Sequence, residues 1–171
     1  MSHLYIYSPS GAVRDKAAFK RGVKRLQALG HEVEIDADAL STSTRFAGDD
    51  DTRLAAISRA AASGADLALI SRGGYGLTRL LDRLPYKAIA KAIEKQGTRF
   101  VGISDFTAFQ NALLAKRAPR LGLAPPCALI SAANTSPTTS CSRVLTICSQ
   151  AKGRALDGRC QSTRPWKNLF I

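Results

Sequence analysis

Four short strand-like runs, three of them apolar and one alternating Val33 and Ile35 with acids, each followed by a stretch with helical periodicity, constrain the fold of this chain more than any other feature. The runs are residues 4–7, 32–36, 66–70 and 99–103. Between the first two, Ala18, Phe19, Val23, Leu26 and Leu29 recur at near-helical spacing. Lys16, Lys20, Arg21, Lys24 and Arg25 fall outside that stripe, which predicts an amphipathic helix over 15–29 ended by Gly30. Further helices are expected over 52–63, over 77–84 with a second short one after Pro85, and over 106–116. Strands alternating with helices imply an α/β fold. The expected architecture is an open, mostly parallel sheet in a flavodoxin- or Rossmann-like three-layer arrangement with right-handed crossovers.

Such sheets bind ligands beyond the carboxyl ends of their strands. Three unusual loops fall there. After the fourth run, Gly102-Ile103-Ser104-Asp105 precedes a helix, so Ser104 is placed on a tight strand-to-helix turn. A turn of that kind exposes a hydroxyl beside the unpaired N–H groups of a helix start. The motif is half of a G-x-S-x-G elbow, because Phe106 stands where the second glycine would be. The same serine also reads as a simple helix cap. After the third run, Ser71-Arg72-Gly73-Gly74-Tyr75-Gly76 offers backbone N–H groups with no side chain in the way, suited to an anion or an oxyanion. No Lys-Ser/Thr follows it, which excludes a Walker-type phosphate loop. Ser10-Gly11 follows the first run. Asp49-Asp50-Asp51 precedes a helix and reads as favourable charge at its amino end rather than as a metal cluster.

In order, the motifs Tyr7-Ser8-Pro9-Ser10-Gly11, Arg45-Phe46-Ala47-Gly48-Asp49-Asp50, Arg72-Gly73-Gly74-Tyr75-Gly76 and Gly102-Ile103-Ser104-Asp105 resemble those of the serine LD-carboxypeptidases. These are muramoyltetrapeptide carboxypeptidases and their microcin-immunity relatives, and the resemblance covers the N-terminal domain, about residues 4–116. It implies that Ser104 is the nucleophile and that the backbone N–H groups of Gly74 and Asp105 form the oxyanion hole. Ser10, Gly11, Arg72, Gly73 and Tyr75 are candidates for the substrate loops. It also implies a muropeptide or related peptide substrate, no metal or other cofactor, and a homodimer as an option for an intact member. The family's His and Glu come from a C-terminal domain. This sequence has two histidines, His3 and His31, at the starts of the first two strands, and neither matches a catalytic position; Glu94 is likewise unmatched.

Charge and composition divide the chain after Lys116. Residues 1–116 carry 17 Lys/Arg against 12 Asp/Glu, while 117–171 carry 8 against 1 and hold five of the seven prolines and all four cysteines. Cys127, Cys141, Cys148 and Cys160 are 14, 7 and 12 residues apart, without a C-x-x-C pair, which argues against zinc. The basic residues are scattered rather than gathered with aromatic groups, so non-specific attraction to polyanions is expected, not specific nucleic-acid recognition. The division predicts a nucleophile domain over 1–116 and an irregular basic tail over 117–171, disordered or translated in a shifted frame. Codons can be chosen for residues 122–128 that give, one base out of frame, a Trp-Ala-Gly-Pro stretch of the kind the family shows after the nucleophile helix. With neither an export signal nor a membrane-spanning run, the expected compartment is the cytoplasm and no membrane partner is expected.

Overall fold

A computed structural model describes residues 1–116. The expectations for 117–171, including the cysteines and the shifted frame, lie outside the described residues. Strands β1 (His3–Tyr7), β2 (Glu32–Ile35), β3 (Leu67–Ile70) and β4 (Arg99–Val101) form one parallel sheet in the order β2-β1-β3-β4. Helices α1 (Lys16–Ala28), α2 (Asp50–Ala62) and α3 (Tyr86–Lys91) lie between them, and α4 (Phe106–Ala115) follows β4. A 3₁₀ turn, Leu77–Arg83, precedes α3, and a wide π turn, Ala92–Gln96, extends it. The expected α/β class and parallel sheet are what the chain adopts.

Strand order explains where the helices lie. The chain steps one way from β1 to β2 and the other way from β2 to β3 and β4, so right-handed crossovers send α1 to one face and the later helices to the other. Side-chain alternation along the strands matches this. Leu4 and Ile6 of β1, Leu67 and Leu69 of β3 and Val101 pack with Val23 and Leu26 of α1. Tyr5, Tyr7, Ala68, Ile70 and Phe100 point the other way, onto Ile57, Leu80, Ile89, Phe106 and Phe109. The central strands β1 and β3 are buried almost throughout, whereas edge strand β2 leaves Ile35 43% exposed.

The helix starts are fixed by aspartates. Asp15 accepts a hydrogen bond from the Ala18 N–H at 2.8 Å, and Asp49 accepts one from the Thr52 N–H at 2.7 Å. Asp49 is thus the cap, with Asp50 and Asp51 in the first turn of α2, the electrostatic role expected of the three acids. Among the described residues, no group of His, Cys, Asp or Glu could hold a metal ion. Leu29 departs from the expected inward stripe. It lies just past α1, where the chain turns out, and is 51% exposed.

The direction change between β1 and β3 opens a crevice at their carboxyl ends, the place where an open α/β sheet presents ligand-binding loops. The loops that begin at Ser8, Ser71 and Gly102 emerge there side by side.

Candidate active site

Ser104 sits at the tip of the turn between β4 and α4, exposed, with φ at 63°. Among the described non-glycine residues, only Ser104 and Thr44 have positive φ. That conformation costs an L-residue about 1–2 kcal/mol and persists only where neighbours enforce it. The side chain of Ser104 is not the cap of α4: Asp105 occupies that position and caps through no side-chain bond. The reading of Ser104 as a helix cap therefore does not describe this turn. The missing second glycine of the elbow also has a physical account. The Phe106 ring folds back over Gly102, so that a side chain at Gly102 would run into it and into Ile70.

The glycine-rich loop after β3 lies directly against this turn. A Cβ on Gly73 would lie 2.7 Å from the Ser104 Cβ and 2.9 Å from the Ile103 carbonyl oxygen. On its other side, Gly74 (φ 153°) leaves a Cβ position only 3.1 Å from the Gly11 nitrogen, and a Cβ on Gly11 would meet the Gly73 carbonyl at 3.2 Å. Three loops from three strands thus close on one another through backbone, with Gly74 exposed at the surface they share.

Asp105 fastens the same three loops through its side chain. Its carboxylate accepts a hydrogen bond from the Ser10 hydroxyl at 3.0 Å and a longer one from the Leu77 N–H at 3.4 Å. Ser10 is fully buried, so its hydroxyl braces the Asp105 turn from below. Deeper in the crevice, the Ser8 hydroxyl donates to the Ala39 carbonyl at 2.6 Å and lies 2.6 Å from the Ser71 hydroxyl. Ser8 has one proton to give, so Ser71 is the donor in that pair. This brace joins the ends of β1 and β3.

Arginines line the rim in two distinct ways. Arg72 is turned inward and donates to the Gly73 carbonyl at 3.1 Å and the Ala12 carbonyl at 3.2 Å. Arg53 is wholly buried; it donates to the Pro9 and Gly76 carbonyls at 3.3 Å each and pairs with Asp50, while its guanidinium lies 4.8 Å from the centre of the Phe46 ring. Sequence patterning gave no signal for Arg53, because an arginine one position before Leu54 reads as part of a helix's wet face. The Phe46 ring in turn lies 6.3 Å from that of Tyr75, the two nearly parallel, and Tyr75 is 66% exposed. Phe46 belongs to a short antiparallel bridge with Gly11, and the Ala12 N–H donates to the Arg45 carbonyl. The loop 43–48 is thereby tied to the crevice.

At the carboxyl end of β2, Asp36 is buried and receives hydrogen bonds from the Tyr5 hydroxyl at 2.6 Å and from Arg59 at 2.7 and 2.9 Å. Burial pulls its carboxyl pKa up, but the bonds from Arg59 and Tyr5 outweigh that and hold it below the usual carboxylate range. Burial, seconded by Asp36, pushes the Tyr5 hydroxyl pKa well above its ordinary value.

Neither histidine is near this crevice. His3 opens β1, where its ring lies 3.1 Å from Glu34, and His31 stands just before β2; both are at the amino ends of the strands. Burial lowers the pKa of His31. Glu94 is exposed on the π turn. Of the residues singled out in the sequence, Ser104, Asp105, Gly73, Gly74, Ser10 and Gly11 are brought together, with Arg72 and Tyr75 on the same loop.

Residues 4–121 match the family described as the LD-carboxypeptidase N-terminal domain. Among solved structures, a muramoyltetrapeptide carboxypeptidase from Oxalobacter formigenes is 37% identical, with a TM-score of 0.57, over 66% of this chain and 36% of that one. The microcin C7 self-immunity protein MccF, in complex with aspartyl sulfamoyl adenosine, is 25% identical with a TM-score of 0.61, over 67% of this chain and 34% of that one. An MccF-like protein from Bacillus anthracis str. Ames gives 26% and 0.61, over 67% and 34%. The chain spans about a third of the length of these relatives. With the match extending over more than half of its residues, this chain belongs to the LD-carboxypeptidase family of serine peptidases, through that family's N-terminal domain.

Proposed function

We propose that this chain supplies the nucleophile half of a serine LD-carboxypeptidase, which hydrolyses the bond from an L-residue to a terminal D-amino acid in cell-wall peptides recycled in the cytoplasm. Residues 1–116 are the nucleophile domain in this reading. The observation that carries it is Ser104, held at positive φ on the turn after β4 with Gly73 pressed against it. The Ser104 Oγ would attack the carbonyl carbon of the scissile peptide, forming a C–O bond as its proton passes to a base. The carbonyl oxygen, now an oxyanion, would accept hydrogen bonds from the Gly74 and Asp105 N–H groups. Collapse breaks the C–N bond, the leaving amine takes a proton, and water then releases the acyl group. No step uses a metal or other cofactor.

A serine hydroxyl needs a base to take its proton. The two histidines of this sequence lie at the amino ends of β1 and β2, so the 171-residue chain alone is expected to turn over no substrate. A fluorophosphonate should nevertheless mark Ser104 slowly at about pH 9, where hydroxide serves as the base. A label that maps elsewhere, or persists in Ser104→Ala, removes Ser104 as nucleophile. Robust D-alanine release from a muropeptide by the chain alone overturns the assignment of a missing base. The position of the histidines also favours a second reading, a non-enzymatic module that binds an anion at the Gly73-Gly74 loop. Phosphate that saturably shifts the Gly74 amide resonance while Ser104 stays unlabelled selects it.

A further inference from the structure

Three arginines surround the mouth of the crevice, and two are already committed. Arg53 donates to the Pro9 and Gly76 carbonyls and pairs with Asp50, and Arg72 donates to the Gly73 and Ala12 carbonyls. Arg45 differs. Its side chain is exposed, and among the described residues its guanidinium has no hydrogen-bond or ion-pair partner. It is not loose, however: the guanidinium carbon lies 5.9 Å from the centre of the Phe46 ring and 5.9 Å from that of Tyr75. Arg45 therefore rests on a two-ring shelf at the outer range of a cation–π contact, with its donors open to solvent. Gly76 (φ 108°) makes room for this shelf, because a Cβ there would lie 2.6 Å from the Phe46 ring. The residue before Arg45, Thr44, is the other non-glycine residue at positive φ (55°). The two strained positions of the described chain thus present the nucleophile and this arginine.

We infer that Arg45, held on the Phe46 and Tyr75 rings, is a carboxylate subsite of the crevice that takes a carboxylate of the peptide substrate. The inference rests on the proposed peptide-hydrolase reading for the identity of the ligand. Its geometry is independent of that reading. A guanidinium fork held beside aromatic rings, with its donors free, matches a planar carboxylate through two parallel N–H···O bonds. Arg45 reaches the crevice through its own backbone: the Arg45–Phe46 segment pairs with Gly11–Ala12, and Gly11 touches Gly73 and Gly74. Tyr75 follows Gly74 directly in the chain, so the shelf and the proposed oxyanion donor belong to one loop.

The test is equilibrium binding, by tyrosine fluorescence or NMR, to the full 171-residue chain carrying Ser104→Ala, which removes chemistry from the measurement. The probes are the tetrapeptide L-Ala-D-Glu-L-Lys-D-Ala, its C-terminal amide, and its D-Gln analogue, so that the two carboxylates are separated. Neutralising the carboxylate that Arg45 holds should weaken binding about tenfold or more, the scale of one charge-assisted bond. In Arg45→Gln that difference should vanish, with the acid binding no better than its neutral analogue, and Arg45→Lys should restore part of it. Thermal melting of the exposed-site variants, expected to be unchanged, controls for folding. The inference is overturned if neither neutral probe binds more weakly, if Arg45→Gln weakens all three probes equally, or if the tetrapeptide does not bind saturably. Failure of fluorophosphonate to label Ser104 would count against the nucleophile without touching the carboxylate discrimination.

Discussion

Gly73→Ala is the most direct probe of how the glycine-rich loop serves Ser104. No positive φ constrains Gly73, so alanine would be tolerated there but for the space. The added methyl carbon would sit 2.7 Å from the Ser104 Cβ and 2.9 Å from the Ile103 carbonyl oxygen. Carbon atoms in contact prefer about 3.5–4.0 Å, so the turn must withdraw by roughly an ångström. The Ile103 obstacle is backbone, which no rotamer change relieves. Over-packing of this kind costs about 1–3 kcal/mol, and a displacement of about 1 Å at a reacting group costs about a hundredfold in rate. The assay pairs a melting curve with the rate of fluorophosphonate labelling at about pH 9. Gly64→Ala is the control: Gly64 has φ 69° with nothing within 4 Å, so it should lose stability of about 1–2 kcal/mol through strain alone and keep its labelling rate. Gly73→Ala labelling at the parent rate would show that the loop does not set the position of the nucleophile.

Two further perturbations test the supports of the crevice. Arg53→Met should lower stability by about 3 kcal/mol in urea denaturation, because it strands the Pro9 and Gly76 carbonyls inside the protein; an unchanged midpoint would remove the buried arginine from the architecture. Asp36→Asn should be less stable than the parent at neutral pH, and the gap should close in acid. The folded pKa of Asp36 lies below its unfolded value, so its contribution is complete above the unfolded pKa of about 4 and fades as pH falls through the folded one. A gap that stays constant down to about pH 2 would mean the carboxylate's charge is not what stabilises the end of β2.

The order of strands, helices and crevice loops was legible because it depends on periodicity and on glycine placement, both local properties of the sequence. Ser10, Gly73, Gly74 and Ser104 could be assigned to one end of the sheet from the parallel topology alone. What stayed hidden depends on contacts between segments far apart in the chain. Arg53 belongs to a helix whose pattern says nothing about the carbonyls of Pro9 and Gly76 waiting above it. Ser10 reads as a loop residue free to meet substrate, yet its hydroxyl is spent on Asp105, 95 positions away. Phe106 looked like a departure from the elbow pattern until its ring was found over Gly102, where the compact turn needs cover. Leu29 shows the converse failure, since the apolar spacing continues one step after the helix has ended.

The same topology that gathers Ser104 with the Gly73-Gly74 loop also keeps both histidines away from it. In a parallel sheet every strand begins at one edge and ends at the other, and the crevice occupies only the ending edge. His3 and His31 lie at strand starts, so the length of the strands separates them from Ser104. Moving either to the crevice would require reversing a central or neighbouring strand, at the cost of the β1–β2 and β1–β3 ladders. The parts that do meet at the crevice are therefore those that strand ends and βα loops readily supply: a hydroxyl on a strained turn, backbone donors freed by glycine, and an arginine laid on two rings. In the proposed reading they would bind and polarise a peptide carbonyl without accepting a proton. Without a base the proposed attack by Ser104 lacks a proton acceptor, so no turnover is expected of this chain alone and the acceleration waits on that base.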